Sequence, residues 1–352
     1  MHINRLIIHN FRNILNVEYS FKHKVSIFYG NNGVGKTSIL EAIHFVSSGK
    51  SFRKSKSKSL IASNQDHFTV FLSLYTDNNS HSISVKKSNN GRWTSKINSS
   101  LNSKQSTITS LLPVISLDPD IYRLIDHGPS FRRNYLDWIV FHVKHDYLLL
   151  WKKVNKCIKQ LNYLYKKKKT DETIALWEES FVLFSNQLNS IREHFFKQIE
   201  PIIYKLNHFM QEEVVNFKLV FKRGWSEGVS LQEQLRDDRE RNLKFGQLHS
   251  GPHKMEISIN IKGVPAAEIL SRGQKKILSL TFYMAHIELL KNNSIDPIIC
   301  LDDFDAEIDK HKLFKAADFF KKTQSQIFIT SVDKNKINKV FPEAELFHVK
   351  HE

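Results

Sequence analysis

Val25-Ser26-Ile27-Phe28-Tyr29-Gly30-Asn31-Asn32-Gly33-Val34-Gly35-Lys36-Thr37-Ser38-Ile39-Leu40-Glu41-Ala42-Ile43 is the stretch on which the fold of this chain turns. Val25–Tyr29 is a short apolar run and predicts a strand. It leads into Gly30–Thr37, which satisfies the pattern G-x-x-x-x-G-K-[ST]. Glycines let a chain curl until its backbone N–H groups converge on an anion. The helix that follows aims the positive end of its dipole at the same point. Ile39, Leu40 and Ile43 give that helix an apolar face. In such a loop Gly30, Asn31, Asn32, Gly33, Val34 and Gly35 wrap a phosphate chain. Lys36 then reaches the terminal phosphates and the Thr37 hydroxyl ligates Mg²⁺, so ATP and Mg²⁺ are the expected cofactors. A chance glycine loop would satisfy the eight-residue pattern too; the strand before it and the helix after it argue against chance.

Working outward, the chain has 352 residues, enough for two domains. Its composition, 41% hydrophobic and 25% charged, is that of a folded soluble protein rather than a disordered one. Fifty-two Lys and Arg against 36 Asp and Glu give a net charge of +16. That surplus suits a polyanionic partner, nucleic acid or an acidic membrane surface, although a basic surface without a partner has the same composition. Cys157 and Cys300 are far apart and form no CxxC pair, which excludes a zinc knuckle or a disulfide framework and fits a reducing compartment. No apolar run reaches the ~18 residues of a membrane span. MHINRLIIHNF lacks the apolar core of a signal peptide and predicts a strand over Ile3–Ile8. The expected location is cytoplasmic.

Further along, Ser48–Ser59 is a basic Ser/Lys loop, either solvated or in contact with a phosphate backbone. Phe68–Leu74 and Ile83–Val85 predict antiparallel strands, with a turn at Asn89-Asn90-Gly91. From about residue 129 the period changes. Trp151, Val154, Ile158, Leu161 and Tyr165, then Trp177, Phe181, Phe184, Leu188, Ile191 and Phe195, recur at three and four. They predict two antiparallel helices joined near Lys166–Asp171, with these aromatics in the core. Lys166–Lys169 falls at the hairpin tip, where a charge run is solvated or touches a polyanion. Phe217–Phe221 predicts a returning strand, Arg236–Arg241 a charged helix, and Met255–Ile261 a half-buried strand. The helical segment thus reads as an insertion into a lobe built from both ends of the chain.

Near the C-terminal end, Leu270-Ser271-Arg272-Gly273-Gln274 precedes a helical pattern over Lys275–Leu290, with Ser271 as its N-cap. Ile298-Ile299-Cys300-Leu301 is a fully apolar strand ending in Asp302-Asp303, and Ile327–Thr330 is another. A carboxylate at the end of such a strand is placed to hold Mg²⁺, and a second beside it to orient or deprotonate an attacking water.

This ordered set resembles the ATP-binding cassette ATPases. The resemblance implies a head-to-head dimer with ATP between two chains, Ser271, Gly273 and Gln274 facing the partner's γ-phosphate. It also implies Asp302 on Mg²⁺, Asp303 as the catalytic carboxylate beside Lys36, and Asp309 in a loop that crosses the interface. Transporter cassettes carry a Gln after an early strand and a His after the last. Val114–Pro119 has no such Gln and Thr330–Asp333 no such His. Chromosome-structure (SMC) heads carry far longer coiled coils than this chain can supply.

The segments Asn10-Phe11-Arg12-Asn13, Pro119-Asp120, Gly128–Trp138 (GPSFRRNYLDW), Gly251-Pro252-His253-Lys254, Leu270–Gln274 (LSRGQ) and Leu301–Asp309 resemble those of the bacterial RecF family nearly end to end. His127 stands where that family usually has Gly, Met255-Glu256 replace its usual acidic pair, and Ile308 replaces a Leu. The resemblance implies an α/β phosphate-loop head of the ATP-binding cassette type, a mixed sheet plus antiparallel β, with an inserted helical lobe. The expected division is a head over 1–128 and 246–352 and an arm over 129–245. It implies a weak DNA-dependent ATPase that dimerises with ATP on single-stranded, gapped or junction DNA. The implied partners are RecR and RecO, with RecA loaded indirectly, in DNA repair, replication and the SOS response, and no membrane. A transporter ATP-binding subunit, or a DNA scaffold that only senses nucleotide, is the alternative. His249 and His253 are separated by Gly251-Pro252, which excludes the helix a metal pair would need. Arg132 and Arg133 either contact phosphate or form salt bridges within the helical lobe.

Overall fold

The computed structural model describes residues 1–53, 60–76, 79–101, 104–168, 171–211, 216–306 and 308–350. Residues 54–59 of the Ser/Lys loop, Lys169 and Glu307 lie outside the described residues. The chain forms two compact units, Met1–Ile121 with Leu290–Glu352, and Tyr122–Leu289.

In the first unit the apolar runs IICL and IFITS are buried on both faces, as parallel strands between covering layers must be. They belong to a five-stranded parallel sheet ordered Glu345–His348, Val25–Tyr29, Ile327–Ser331, Ile298–Leu301, Val114–Leu117. A second, antiparallel sheet has six strands: Ile14–Ser20, His2–Phe11, His67–Thr76, Asn79–Ser88, Trp93–Ile97 and Ser100–Leu101. Alternating burial along HFTVFLSLYT shows one face of it turned to the core. The expected α/β head with antiparallel β is present, with the parallel and antiparallel strands kept in two separate sheets.

The helix Lys36–Ser48 packs into one continuous core with both sheets: Ile39, Ile43 and Phe45 meet Leu6, Phe11 and Val70 on one side and Phe28 and Phe328 on the other. The helix is therefore buried almost all round, not only along the Ile39–Ile43 face, because it has a sheet on two sides.

The second unit contains the helices Pro129–Val143, Tyr147–Lys166 and Asp171–Met210, the last with Pro201 inside it. Tyr147–Lys166 and Asp171–Met210 pack against each other, as the expected hairpin requires. The charged stretch 236–241 is not one helix: Leu231–Asp237 and Arg239–Phe245 meet at Asp238. Residues 246–289, expected in the head, pack in this unit. Glu256–Ile261 pairs antiparallel with Lys218–Lys222, and the Tyr135 hydroxyl donates to the Phe282 carbonyl at 2.7 Å. Backbone pairing and helix packing thus set the contact boundary at 121/122 and 289/290.

Candidate functional site

The strand Val25–Tyr29 delivers Gly30 beside the C-terminal strand. A Cβ on Gly30 would sit 2.4 Å from the Val349 carbonyl oxygen, so no side chain fits there. Gly35 adopts φ 108° as the N-cap of Lys36–Ser48, which has no side-chain cap and no acidic residue in its first turn. The helix's first N–H groups thus have no anionic side chain of their own, which favours an external anion.

Lys36 is only 5% exposed, and its ammonium donates to the carbonyls of Gly30 at 2.9 Å and Asn31 at 2.8 Å. Burial lowers its pKa, and the carboxylates of Asp303, Asp302 and Asp305 oppose that shift.

Asp302 and Asp303 end the strand Ile298–Leu301 and diverge at once. Asp303 has φ 44°, a left-handed conformation that costs a side-chain-bearing residue about 1–2 kcal/mol. Its N–H donates to Thr330 Oγ1 at 2.8 Å, and that hydroxyl donates to Asp302 Oδ1 at 2.8 Å. Asp302 is 5% exposed and lies beside the Thr37 hydroxyl. Burial pushes its carboxyl up to about 6, against the Thr330 and Thr37 hydroxyls beside it that favour the ionised form. A buried carboxylate beside a threonine hydroxyl is a hard-oxygen pair of the kind Mg²⁺ takes, so Thr37 and Asp302 fit the metal. The strained turn meanwhile carries Asp303 to the wall of a cavity of about 590 Å³ formed with the phosphate loop.

That cavity brings together residues the pattern alone did not assign. Arg12, Asn13 and Arg53 line it with Asn32, Gly33, Lys36, Thr37 and Asp303. Asn13 comes from the bend between the first two strands. Its amide donates to the Gly33 carbonyl at 3.0 Å, and its Oδ1 accepts from the Ser38 hydroxyl at 3.0 Å. It therefore staples the loop to the start of the helix. Arg12 makes a two-pronged pair with the fully buried Glu41, at 2.9 and 2.7 Å, and Ser51 also donates to Glu41. Asn13 lies in the segment Asn10–Asn13 quoted above, but nothing in spacing or period gives it or Arg53 a role; contacts across the fold do.

Asp305 is also drawn up by burial, and its carbonyl accepts from Lys336 Nζ at 2.6 Å. Asp333, after the last parallel strand, caps the helix Lys334–Val340 by accepting from the N–H groups of Asn335 and Lys336. Asp309 caps Lys310–Lys321 by accepting from the Lys312 N–H at 2.9 Å.

The signature residues stand in the second unit. Ser271 and Gln274 form reciprocal caps: the Ser271 N–H donates to Gln274 Oε1 at 2.9 Å, and the Gln274 N–H to Ser271 Oγ at 3.3 Å. Residues 271–274 are all exposed. Gly273 has no neighbour within 4 Å of a would-be Cβ and no left-handed backbone, so nothing within this chain requires it to be glycine.

Arg132 and Arg133 are resolved in favour of internal pairing. Arg132 bonds Glu256 at 2.6 Å and the His127 carbonyl at 2.7 Å, while Arg133 donates to the Met255 carbonyl at 2.6 Å. Arg192, 3% exposed, holds Asp137 through two bonds of 2.8 and 2.7 Å and the Pro252 carbonyl at 2.8 Å. These ties lock RRNYLDW to the GPHK turn. Glu256, at a position where the sequence departs from the RecF pattern, is itself an ion-pair partner. His249 pairs with Asn242 and His253 with the Leu248 carbonyl, so the two do not converge as ligands, and burial lowers His253 to about 4. Among the described residues no cluster of His, Cys, Asp and Glu is arranged to hold a metal through three or more of them. Both cysteines are buried, and burial raises their thiols. A groove of about 650 Å³ beside Leu176 and Arg236 is slightly larger than the phosphate-loop cavity, but it gathers no comparable constellation. Among the described residues no helix is long and apolar enough to cross a membrane.

A profile of the RecF/RecN/SMC N-terminal domain family matches residues 2–352. The chain is 33% identical over 353 residues to the DNA replication and repair protein RecF of Coxiella burnetii (strain Dugway 5J108-111), covering 99% of this chain and 98% of that one. To the protein of that name from Cellvibrio japonicus it is 32% identical over 361 residues, covering 100% and 98%. Among solved structures, the recombination mediator RecF with ATP, of the RecFOR pathway, superposes with a TM-score of 0.85 at 24% identity, over 94% of this chain and 92% of that one. An Smc head bound to the C-terminal winged-helix domain of ScpA gives 0.60 at 18% identity, over 96% and 91%. At such identities the likeness speaks to the fold.

Proposed function

This chain belongs to the RecF family of DNA replication and repair proteins, and from that premise we propose that it is an ATP-dependent, dimerising DNA-binding ATPase. The observation that carries the ATP half is the joining of Lys36, Thr37, Asp302 and Asp303 around the phosphate loop in one unit. Gly30–Gly35 would cradle the phosphates, Lys36 would neutralise the terminal ones, and Thr37 and Asp302 would hold Mg²⁺. Bound Mg²⁺ would supply charge neutralisation at the phosphates. Asp303 stands apart from that pair at the cavity wall, where a carboxylate is suited to orient and deprotonate a water.

Ser271, Gly273 and Gln274 are proposed to meet the nucleotide of a second copy. Their exposure, and a glycine that this chain's own packing does not need, support a partner surface. Two chains touching one nucleotide give the closed dimer a differential affinity for ATP, which is what a population shift requires. Hydrolysis would release it, with weak DNA-dependent turnover.

The net charge of +16 supports a mostly electrostatic, sequence-independent hold on DNA. Membership of the family favours gapped and single-strand/double-strand junction DNA, RecR and RecO as partners, and loading of RecA. A cytoplasmic location and a part in the SOS response follow from the same reading. The test is DNA binding against salt, with and without ATP, for this chain and for Lys36→Ala. Expected are a steep salt dependence, tighter binding with ATP, and loss of the ATP effect in the variant. Absence of DNA binding at low salt in every nucleotide state would overturn the proposal.

A further inference from the structure

We propose that the outer face of the helix Tyr147–Lys166 binds single-stranded DNA by stacking unpaired bases on Trp151 and Tyr163 between lysine-held phosphates. The inference rests on the DNA-binding reading above and gives it a location and a strand preference. Residues 147–170 contain eight lysines and no acidic residue. The inner side of the helix is core: Val154, Cys157, Leu161 and Leu164 are buried. The other side is the unusual one. Trp151, expected in the buried seam, is 40% exposed, and Tyr163 is 52% exposed.

Trp151, Asn155, Lys159 and Tyr163 recur every four residues and form a ridge that winds about 120° around the helix. Twelve residues at 1.5 Å rise place the two rings about 18 Å apart along the helix axis. Lys152 and Lys156 flank that line, and together these side chains form a shallow groove of about 510 Å³. All three of its lysines are exposed, and among the described residues none forms an ion pair. The basic run continues through Lys166, Lys167 and Lys168 at the end of the helix.

Lone exposed aromatics are ordinary on protein surfaces. Two lining one groove, with cations between them and no carboxylate on the same helix, form a platform with a ligand chemistry of its own. The lysines alone would suit any polyanion. The rings select among polyanions, because a duplex keeps its base faces stacked on one another whereas a single strand offers them.

The test uses the 352-residue chain with ATP and Mg²⁺, a fluorescent oligo(dT) probe, and a mixed-sequence duplex of the same length as the probe. Trp151→Ala and Tyr163→Ala remove exposed side chains, and circular dichroism with thermal unfolding checks that each variant folds. Each is expected to weaken oligo(dT) binding about tenfold and to leave duplex binding within twofold. Lys152→Gln, Lys156→Gln and Lys159→Gln combined should lower the slope of log affinity against log salt on oligo(dT) by about 2. Trp151→Phe, which keeps a ring, should restore most of the affinity. If the parent binds both DNAs and the ring variants bind oligo(dT) unchanged, the platform is refuted while the DNA-binding function stands. A loss in the lysine variant alone also refutes it, leaving a surface that reads charge and not bases. If the parent binds neither DNA, the proposed function fails first and the platform falls with it.

Discussion

Asp302→Asn should make the nucleotide-free protein more stable at pH 8 while removing its response to Mg²⁺. Asp302 is 5% exposed, and burial lifts its carboxyl from 3.8 to about 6. A group whose folded pKa lies above its unfolded one adds stability only when protonated. That contribution is complete below the unfolded value and is lost as pH rises through the folded one. Holding Asp302 ionised at pH 8 therefore costs about 2 pKa units, or about 3 kcal/mol. Asparagine has the same shape, can still accept from Thr330, and carries no charge. Each kcal/mol is worth about 2–4 °C in a unit of this size, so the variant should melt about 5 °C or more above the parent at pH 8 in EDTA. The gap should close as pH falls from 7 to 4. With ATP and Mg²⁺ the order should reverse, because only the parent gains the metal-linked part of ligand stabilisation. Differential scanning fluorimetry across pH, with and without Mg²⁺-ATP, reads all of this. A variant that melts lower than the parent at pH 8 in EDTA, or a gap that does not change with pH, would refute the reasoning.

Asn13→Ala removes the staple between the Gly33 carbonyl and Ser38; nucleotide affinity should fall about fivefold, with a melting temperature within about 2 °C, measured by calorimetric titration. Gly30→Ala drives a Cβ to 2.4 Å from the Val349 carbonyl and should unseat the C-terminal strand. A melting temperature equal to the parent's would contradict that packing. Arg192→Ala leaves Asp137 without its two-pronged partner and should cost about 3–5 kcal/mol in urea unfolding, with Arg192→Lys recovering only part of it. Ser271→Ala removes one half of the reciprocal cap and should cost about 1 kcal/mol. It should weaken ATP-dependent dimerisation, followed by light scattering, far more than that loss explains.

The phosphate loop could be read from the chain because its chemistry is local. Gly30, Gly33 and Gly35 provide the curl, and Lys36 and Thr37 sit at fixed offsets from it on a helix that starts there. The apolar runs Ile298–Leu301 and Ile327–Thr330 likewise announced buried parallel strands, and Asp302-Asp303 stood at the end of one of them. Patterns that depend on a neighbour misled. The helix after the loop looked one-sided although sheets cover it on two sides, and Trp151 had the spacing of a core residue although 40% of it is exposed.

By itself, then, the sequence determined the glycine loop with its Lys-Thr pair, the order of the segments proposed to form the nucleotide site, the helical insertion and the basic charge. Each is written in residues close together or in composition. The tertiary structure decided that Asn13 and Arg53 join the loop and that Asp302 and Asp303 part company at a left-handed turn. It also turned the arginines of RRNYLDW inward, onto Glu256 and the Met255 carbonyl. The physical reason is the same in each case. A side chain's role is fixed by the group it meets, and here that group lies tens to hundreds of residues away, brought near only when two sheets close on one helix or a strand returns to pair.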